Sequence, residues 1–387
     1  MKQALHFGAG NIGRGFVGFL LSRAGYELTF ADVNAELIDQ LANATGYTVH
    51  EVGENSQTHE ITGFHALNSA THEAEVADAI AHSDVVTTAV GPNILRFVAP
   101  TIKAGLQRRA VDASPLVVMA CENAIGATDI LRDHLRDIST PEEWQELSAR
   151  AIFANTAVDR IVPGQAVDAG LDVTVESYFE WAIEAAPFQG DTLEIPGVTW
   201  VPDLKPYIER KLFTVNTGHA TTAYYGFVAG YSGLAEALLD PEIRARVYSV
   251  LQETKALIVA KHDFDPAVQE EYLQKILTRF ANPHLVDTVG RVGRQPLRKV
   301  SRHERFIGPA AELAERGIAT ESLVDAVGAL LRFDVADDPE SVELRALLDS
   351  VRDGRGADEV TEQITGLASN HPLFAAVRDR VAAVAAG

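Results

Sequence analysis

The 387-residue chain has one cysteine, two methionines and three tryptophans. A lone Cys121 excludes an intrachain disulfide, so the fold must rest on its apolar core; the pattern suits a reducing compartment, and a cytoplasmic location is expected. Cations are scarce, with 33 Lys and Arg against 54 Asp and Glu and a net charge of −21. Such a surface repels nucleic acid and anionic membranes, and neither is expected as a partner. Long apolar runs are missing too. The longest uncharged stretch, Leu212–Ala235, contains Asn216, His219, five Ser or Thr and four Gly. That is too polar for a membrane span and reads as a buried helix with its connections. The first strand pattern starts within a few residues of Met1, leaving no room for a cleavable signal peptide. The 12 histidines form no His-Glu-x-x-His motif and no close Cys/His grouping, so no metal is expected. What remains is an ordinary globular composition, 47% apolar and 22% charged, long enough for two or three domains.

The most informative stretch is Ala4-Leu-His-Phe-Gly-Ala-Gly-Asn-Ile-Gly13. A short apolar strand runs into Gly8, Gly10 and Gly13, and a helical pattern through Phe16, Val17, Leu20 and Leu21 follows. In a dinucleotide site the first glycine permits the turn, the second lets backbone approach a pyrophosphate, and the third allows close helix–strand packing. Gly8, Gly10, Asn11, Ile12 and Gly13 are therefore candidate cofactor residues. A second strand, Glu27–Ala31, ends at Asp32, placed to accept a hydrogen bond from an adenosine ribose. No Arg or Lys follows closely to accept a 2′-phosphate, which favours NAD over NADP.

Strand and helix patterns alternate through the first half. Strands are expected at Tyr47–Val52, His59–Leu67, 84–90, Pro115–Cys121 and Asp172–Phe179. This order predicts an α/β fold: an N-terminal Rossmann-type, doubly wound parallel sheet with ligands at the carboxyl ends of the strands. Val90 and Gly91 end one strand and Glu122-Asn123 another, which places Val90 and Gly91 beside the cofactor. From about residue 200 helical periodicity dominates. Clustered prolines and glycines at Pro187–Pro206 mark the boundary, giving an NAD-binding domain over 1–197 and a mostly α-helical domain over 198–387.

In that second domain Lys211, Asn216 and His219 lie within about 140° of arc on an α-helix. Apolar or small residues surround them. A lysine there would lose solvation and become a candidate proton acceptor, with the amide beside it as a donor to an alkoxide. The bland alternative has Lys211 reaching outward while Asn216 and His219 satisfy backbone groups. A second cluster holds Arg291, Arg294, Arg298, Lys299, Arg302 and Arg305 against one acid, Glu304. It suits phosphate oxygens or, equally, forms a solvated face paired with acids elsewhere.

Thr156-Ala-Val-Asp-Arg-Ile-Val-Pro163 resembles the signature of the polyol-specific long-chain dehydrogenases, the mannitol dehydrogenase family. Lys211, Asn216 and His219 match that family's active-site helix. His6–Gly15 and Arg291–Lys299 are similar to its sugar-phosphate branch. The resemblance runs from near residue 1 to about residue 310 and thins beyond. It implies metal-independent, NAD-dependent hydride transfer between D-mannitol 1-phosphate and D-fructose 6-phosphate. By the same resemblance Lys211 is the general acid/base, Asn123 and Asn216 hold the reacting oxygen, and His219 orients the lysine–substrate hydrogen bonds. Arg294, Arg298 and Lys299 are then the candidate phosphate ligands. Asp159 and Arg160 are either a strand-end brace or substrate contacts; Glu122 is expected to be exposed or hydrogen-bonded rather than catalytic. A free-polyol or hexuronate enzyme of the same family would not need the arginines. A non-catalytic NAD sensor would not need Lys211, Asn216 and His219. No obligate protein partner is evident; a monomer is compatible with the sequence, which leaves the oligomeric state open.

Overall fold

A computed structural model describes residues 2–387 except 54, 55 and 167. The chain forms two compact units, Met1–Ile208 and Glu209–Gly387.

The strands of the first unit are, in chain order, β1 (Lys2–Phe7), β2 (Tyr26–Asp32), β3 (Gly46–Val52), β4 (Gln57–Thr62), β5 (Phe64–Asn68), β6 (Val85–Thr88), β7 (Leu116–Ala120), β8 (Ala151–Phe153), β9 (Thr156–Asp159), β10 (Val173–Glu176), β11 (Glu180–Glu184) and β12 (Val198–Val201). The main sheet is parallel throughout, in the order β5-β2-β1-β6-β7-β8. Its central strands β6 and β7 are buried throughout, and β7, Leu116–Ala120, reads as a continuous apolar run. Strand order reverses between β1 and β6, and that switch point opens a crevice at the carboxyl ends of the strands.

The run expected as one strand over His59–Leu67 divides at Gly63, whose φ of +70° turns the chain. The part before it, β4, pairs antiparallel with β3 in a small sheet that β10 completes; the part after it, β5, joins the main sheet. A third sheet, β12-β11-β9, packs through Trp181 and Ile183 into the core that also holds Phe16, Phe19 and Phe30.

The second unit is helical among its described residues. Its centre is the helix Thr217–Ala229, buried from Thr217 to Gly226 apart from half-buried His219. Thr221 and Thr222 turn their hydroxyls onto the carbonyls of Thr217 and Gly218 at 2.7 and 2.8 Å, so a polar-looking sequence becomes an apolar cylinder. Gly226 permits the close approach of neighbours, since a Cβ there would lie 2.9 Å from Ala237 and Val289 side-chain atoms. Around it stand Pro241–Lys261, Pro266–Phe280 and Glu321–Leu330. The first two are opened by Asp240 and Asp265, each accepting two N–H bonds ahead of a proline at the first turn. No described helix is long and apolar enough to cross a membrane.

Candidate active site

The glycine loop leaves β1 with Gly8 at φ +102°. A Cβ on Gly8 would lie 2.7 Å from the Ala89 carbonyl oxygen, and one on Gly13 would overlap the Gly8 carbonyl. Gly10 faces open space, with nothing within 4 Å of a Cβ position. Two glycines thus close the turn, and the third leaves the room that a pyrophosphate would fill. Asn11 and Ile12 are exposed on the same loop.

Two side chains hold this loop. Asp32 accepts the Ala9 N–H at 2.7 Å on one oxygen and the Asn34 N–H at 2.9 Å on the other, tying the end of β2 to the loop. Arg14, which sequence patterning did not single out, is buried beneath the loop. It donates to the Ala9 carbonyl, to Leu171 O at 3.0 Å and to Asn11 Oδ1 at 3.3 Å. Burial lowers its pKa, and Tyr47 and Asp32 oppose that shift. His6 lies under the same turn with Nδ1 2.7 Å from Thr87 Oγ1, and burial lowers its pKa to about 3, leaving the ring neutral.

The carboxyl ends of β6 and β7 form the second part of the crevice. Val90 donates its N–H to Glu122 Oε1 at 3.1 Å, and Gly91 has φ +96° with open space at its Cβ position. Asn123 follows Glu122 and is exposed. These residues fit a dinucleotide site: a turn with room above it, an acid at the second strand's end, and open backbone at the switch point.

Arg160 lies elsewhere, inside the first unit, with its side chain 0% exposed. Its guanidinium pairs with Glu51 and donates to Glu176 O at 2.9 Å and Gly15 O at 3.2 Å. The Phe16, Phe19 and Phe179 rings surround it at 5.9, 5.4 and 5.6 Å. Arg160 is therefore a brace, linking the small sheet to the helix behind the glycine loop.

In the second unit Lys211, Asn216 and His219 do not sit on a continuous α-helix. Lys211–Asn216 is a π turn, in which the Thr217 N–H reaches back to Leu212 O. The Thr217 hydroxyl adds a 3.1 Å contact to the same carbonyl and a 2.8 Å contact to Arg305 O. An i→i+5 turn stacks residue 216 over residue 211, which α spacing would separate. The α-helix resumes at Thr217 and carries His219. Lys211, Asn216 and His219 are all half-buried. The glycine loop also opens on a π turn, Gly13–Val17.

The His219 ring stacks on Phe280 at 4.8 Å and 24°, with Nε2 3.7 Å from Asp287 Oδ2. Asp287 is buried and held by Arg291 through Nε at 2.7 Å and Nη2 at 2.5 Å. Burial lowers the His219 pKa to about 4; Asp287 opposes that shift, and Arg291, Lys299 and Arg279 add to it. The ring is therefore neutral at physiological pH. Asp287 was not visible from patterning, because it sits in a loop 68 residues from its partner.

The basic segment is paired throughout. Arg294 meets Asp337 at 2.9 Å, Arg298 meets Glu304 at 3.0 Å, Arg302 meets Glu315 at 3.2 Å, and Arg305 meets Glu304 at 3.1 Å. Lys299 is buried and donates to the carbonyls of Val292 and Arg294. Burial, with Arg305 and Arg298 nearby, lowers its pKa to about 7. Arg294 and Arg298 keep about two fifths of their side-chain surface exposed.

Comparison with known proteins covers the whole chain. Residues 2–197 match the mannitol dehydrogenase Rossmann domain and residues 203–386 the mannitol dehydrogenase C-terminal domain. A mannitol-1-phosphate 5-dehydrogenase of Paenarthrobacter aurescens is 58% identical over 98% of each chain. One from Aspergillus niger is 51% identical, covering 100% of this chain and 99% of its own. Among solved structures, Pseudomonas fluorescens mannitol 2-dehydrogenase, in a ternary complex with NAD and D-mannitol, superposes with a TM-score of 0.78 at 19% identity, covering 99% of this chain and 91% of that one.

Proposed function

The chain belongs to the mannitol dehydrogenase family, and on that premise we propose that it is an NAD-dependent oxidoreductase interconverting D-mannitol 1-phosphate and D-fructose 6-phosphate. The observation that carries this reading is the near-complete match, at 50–59% identity, to bacterial and fungal proteins that bear that activity in their names. A phosphate on Arg294 and Arg298 would have to compete with Asp337 and Glu304, so the choice of a phosphorylated substrate over a free polyol rests on the relatives.

NAD+ supplies the hydride acceptor in the oxidation direction. The chain's own groups do the rest. Asp32 accepts from the adenosine ribose, and its negative charge disfavours a 2′-phosphate. Gly10 leaves room for the pyrophosphate, and Asn11, Ile12 and Gly13 shape the loop around it; Val90 and Gly91 line the nicotinamide side. Lys211 takes the hydroxyl proton from the alcohol. Asn216, stacked over Lys211 by the π turn, and Asn123 donate to the oxygen as it gains charge. His219, neutral and fixed by Phe280 and Asp287, holds the hydrogen-bond direction between lysine and substrate. General base catalysis of this kind contributes on the order of 10²–10⁴-fold. Arg294, Arg298 and Lys299 bind the phosphate, and a bound dianion would draw Lys299 back to its charged form.

The test is a substrate screen that follows NADH absorbance with fructose 6-phosphate, fructose, glucose 6-phosphate and a hexuronate. Turnover confined to fructose 6-phosphate is the expected result. Equal turnover of free fructose would move the assignment to a free-polyol enzyme of the same family.

A further inference from the structure

Glu122 is a buried carboxyl group that the proposed proton transfer does not use. It is 4% exposed. Thr88 Oγ1 lies 2.8 Å from both of its oxygens, and the Val90 N–H donates to Oε1. These partners, on β6 and on the turn that follows it, are neutral. The titratable neighbour on its own strand end, Cys121, is a thiol whose pKa burial pushes up, so it stays uncharged. Among the described residues no cation pairs with Glu122. A carboxylate buried without a counter-charge is costly, and proteins normally relieve that cost with a cation or with a proton.

The site's place in the sheet suggests the missing cation. A doubly wound sheet takes one half of a dinucleotide on each side of its switch point. The glycine loop and Asp32 belong to the β1–β2 side and serve the adenosine half. The β6–β7 side, with Val90, Gly91, Glu122 and Asn123, is left for the nicotinamide half. That ring carries a positive charge when oxidised and none when reduced.

We propose that Glu122 is the counter-charge to the oxidised nicotinamide ring, ionised while that ring is bound and protonated once the ring has accepted hydride. This rests on the dinucleotide reading of the first unit. The balance is complete: the alcohol's proton leaves on Lys211 and passes to solvent, hydride goes to the oxidised ring, and Glu122 takes up one proton from solvent as the ring's charge is lost. Burial raises the pKa of Glu122, and the hydrogen bonds from Thr88, Val90 and Gly91 oppose that shift. Of the two other titratable groups buried beside the glycine loop, His6 is held neutral by its low pKa and Arg14 is a guanidinium that keeps its proton, so neither adds a titration near neutrality.

The test is binding. Dissociation constants for NADH are measured by its fluorescence and for NAD+ by displacement, across pH, for wild type, Glu122→Gln and Glu122→Asp. In wild type the NAD+/NADH ratio of dissociation constants should rise as pH falls, because protonation removes the charge that NAD+ needs. A shift of one pKa unit in Glu122 between the two complexes corresponds to roughly a tenfold change in that ratio. Glu122→Gln should bind NAD+ about tenfold more weakly, keep its NADH affinity and show a pH-independent ratio. Glu122→Asp should retain some pH dependence. A wild-type ratio flat with pH would overturn the proposal, whether or not the variants fold. So would a Glu122→Gln ratio equal to that of wild type in a variant that melts normally. Binding of neither nucleotide by wild type would instead overturn the dinucleotide reading beneath it.

Discussion

Replacing Arg160 by methionine should destabilise the first unit without touching its chemistry. The change keeps most of the apolar volume between Phe16, Phe19 and Phe179 but removes the charge. Glu51 then stays buried with only the His59 ring, at 2.9 Å, to compensate it. The carbonyls of Glu176 and Gly15 lose their donor. Removing one partner of a buried ion pair costs about 3–5 kcal/mol. Cation–ring attraction adds up to about 2 kcal/mol where the cation is desolvated. His59 offsets part of the sum, so about 3–5 kcal/mol is the expected net loss. The chain provides a convenient reporter, because Trp144, Trp181 and Trp200 all lie in the first unit. Urea unfolding followed by tryptophan fluorescence should show a midpoint lowered by about 1–2 M. Glu51→Gln in the same chain should restore part of the loss, with a coupling of about 0.5–3 kcal/mol in the double-mutant cycle. An unchanged midpoint together with a raised KM for fructose 6-phosphate would refute the reasoning and make Arg160 a substrate contact.

Lys211→Ala should lower kcat by about 10² or more while NADH affinity stays within a factor of about two; near-normal turnover in a steady-state assay would remove Lys211 from the mechanism. Arg294→Ala, Arg298→Ala and Lys299→Ala should each lower kcat/KM for fructose 6-phosphate by roughly 10- to 100-fold, the value of one charge-assisted hydrogen bond, with little effect on the poor substrate fructose; equal losses on both sugars would point to a folding defect instead. His219 is neutral above about pH 4, so its protonation should not shape the kcat/KM profile near neutrality. Arg291→Gln exposes Asp287, which favours the imidazolium, so the acid limb should move upward toward neutral pH; a limb left in place would show that Asp287 does not act on His219.

The nucleotide half of the molecule was legible because its signals are local. Gly8, Gly10, Gly13 and Asp32 announce a turn through backbone freedom and a strand end through charge, and the parallel sheet follows from alternating patterns. Gly63 was harder to read. The apolar run continues across it, and only the positive φ shows that one strand pairs in the small sheet and the next in the main one. The second unit's site was legible in composition but not in geometry. Spacing of 100° per residue cannot register a π turn, so Asn216 stood further around the helix from Lys211 than it does. Arg14 and Asp287 escaped for a different reason: their partners lie far away in the chain, as with Leu171 for Arg14, 157 residues distant. Burial of a charge is a property of the fold, not of the neighbouring sequence.

The π turn at Lys211–Asn216 holds one residue more than an α turn of the same span. The helix after it is pinned, since Gly218 and Gly226 leave neighbouring side chains no room to shift. Deleting a single residue between 212 and 215 would let the backbone relax to α geometry with its hydrogen bonds intact. The lysine and Asn216 would then stand four residues apart, about 40° around an α-helix. Lys211 would stay on the same face as Asn216, on a helix that still packs normally. The extra residue is therefore absorbed within one turn, and a lineage that lost that one codon would keep both the fold and the side-by-side placement of Lys211 and Asn216.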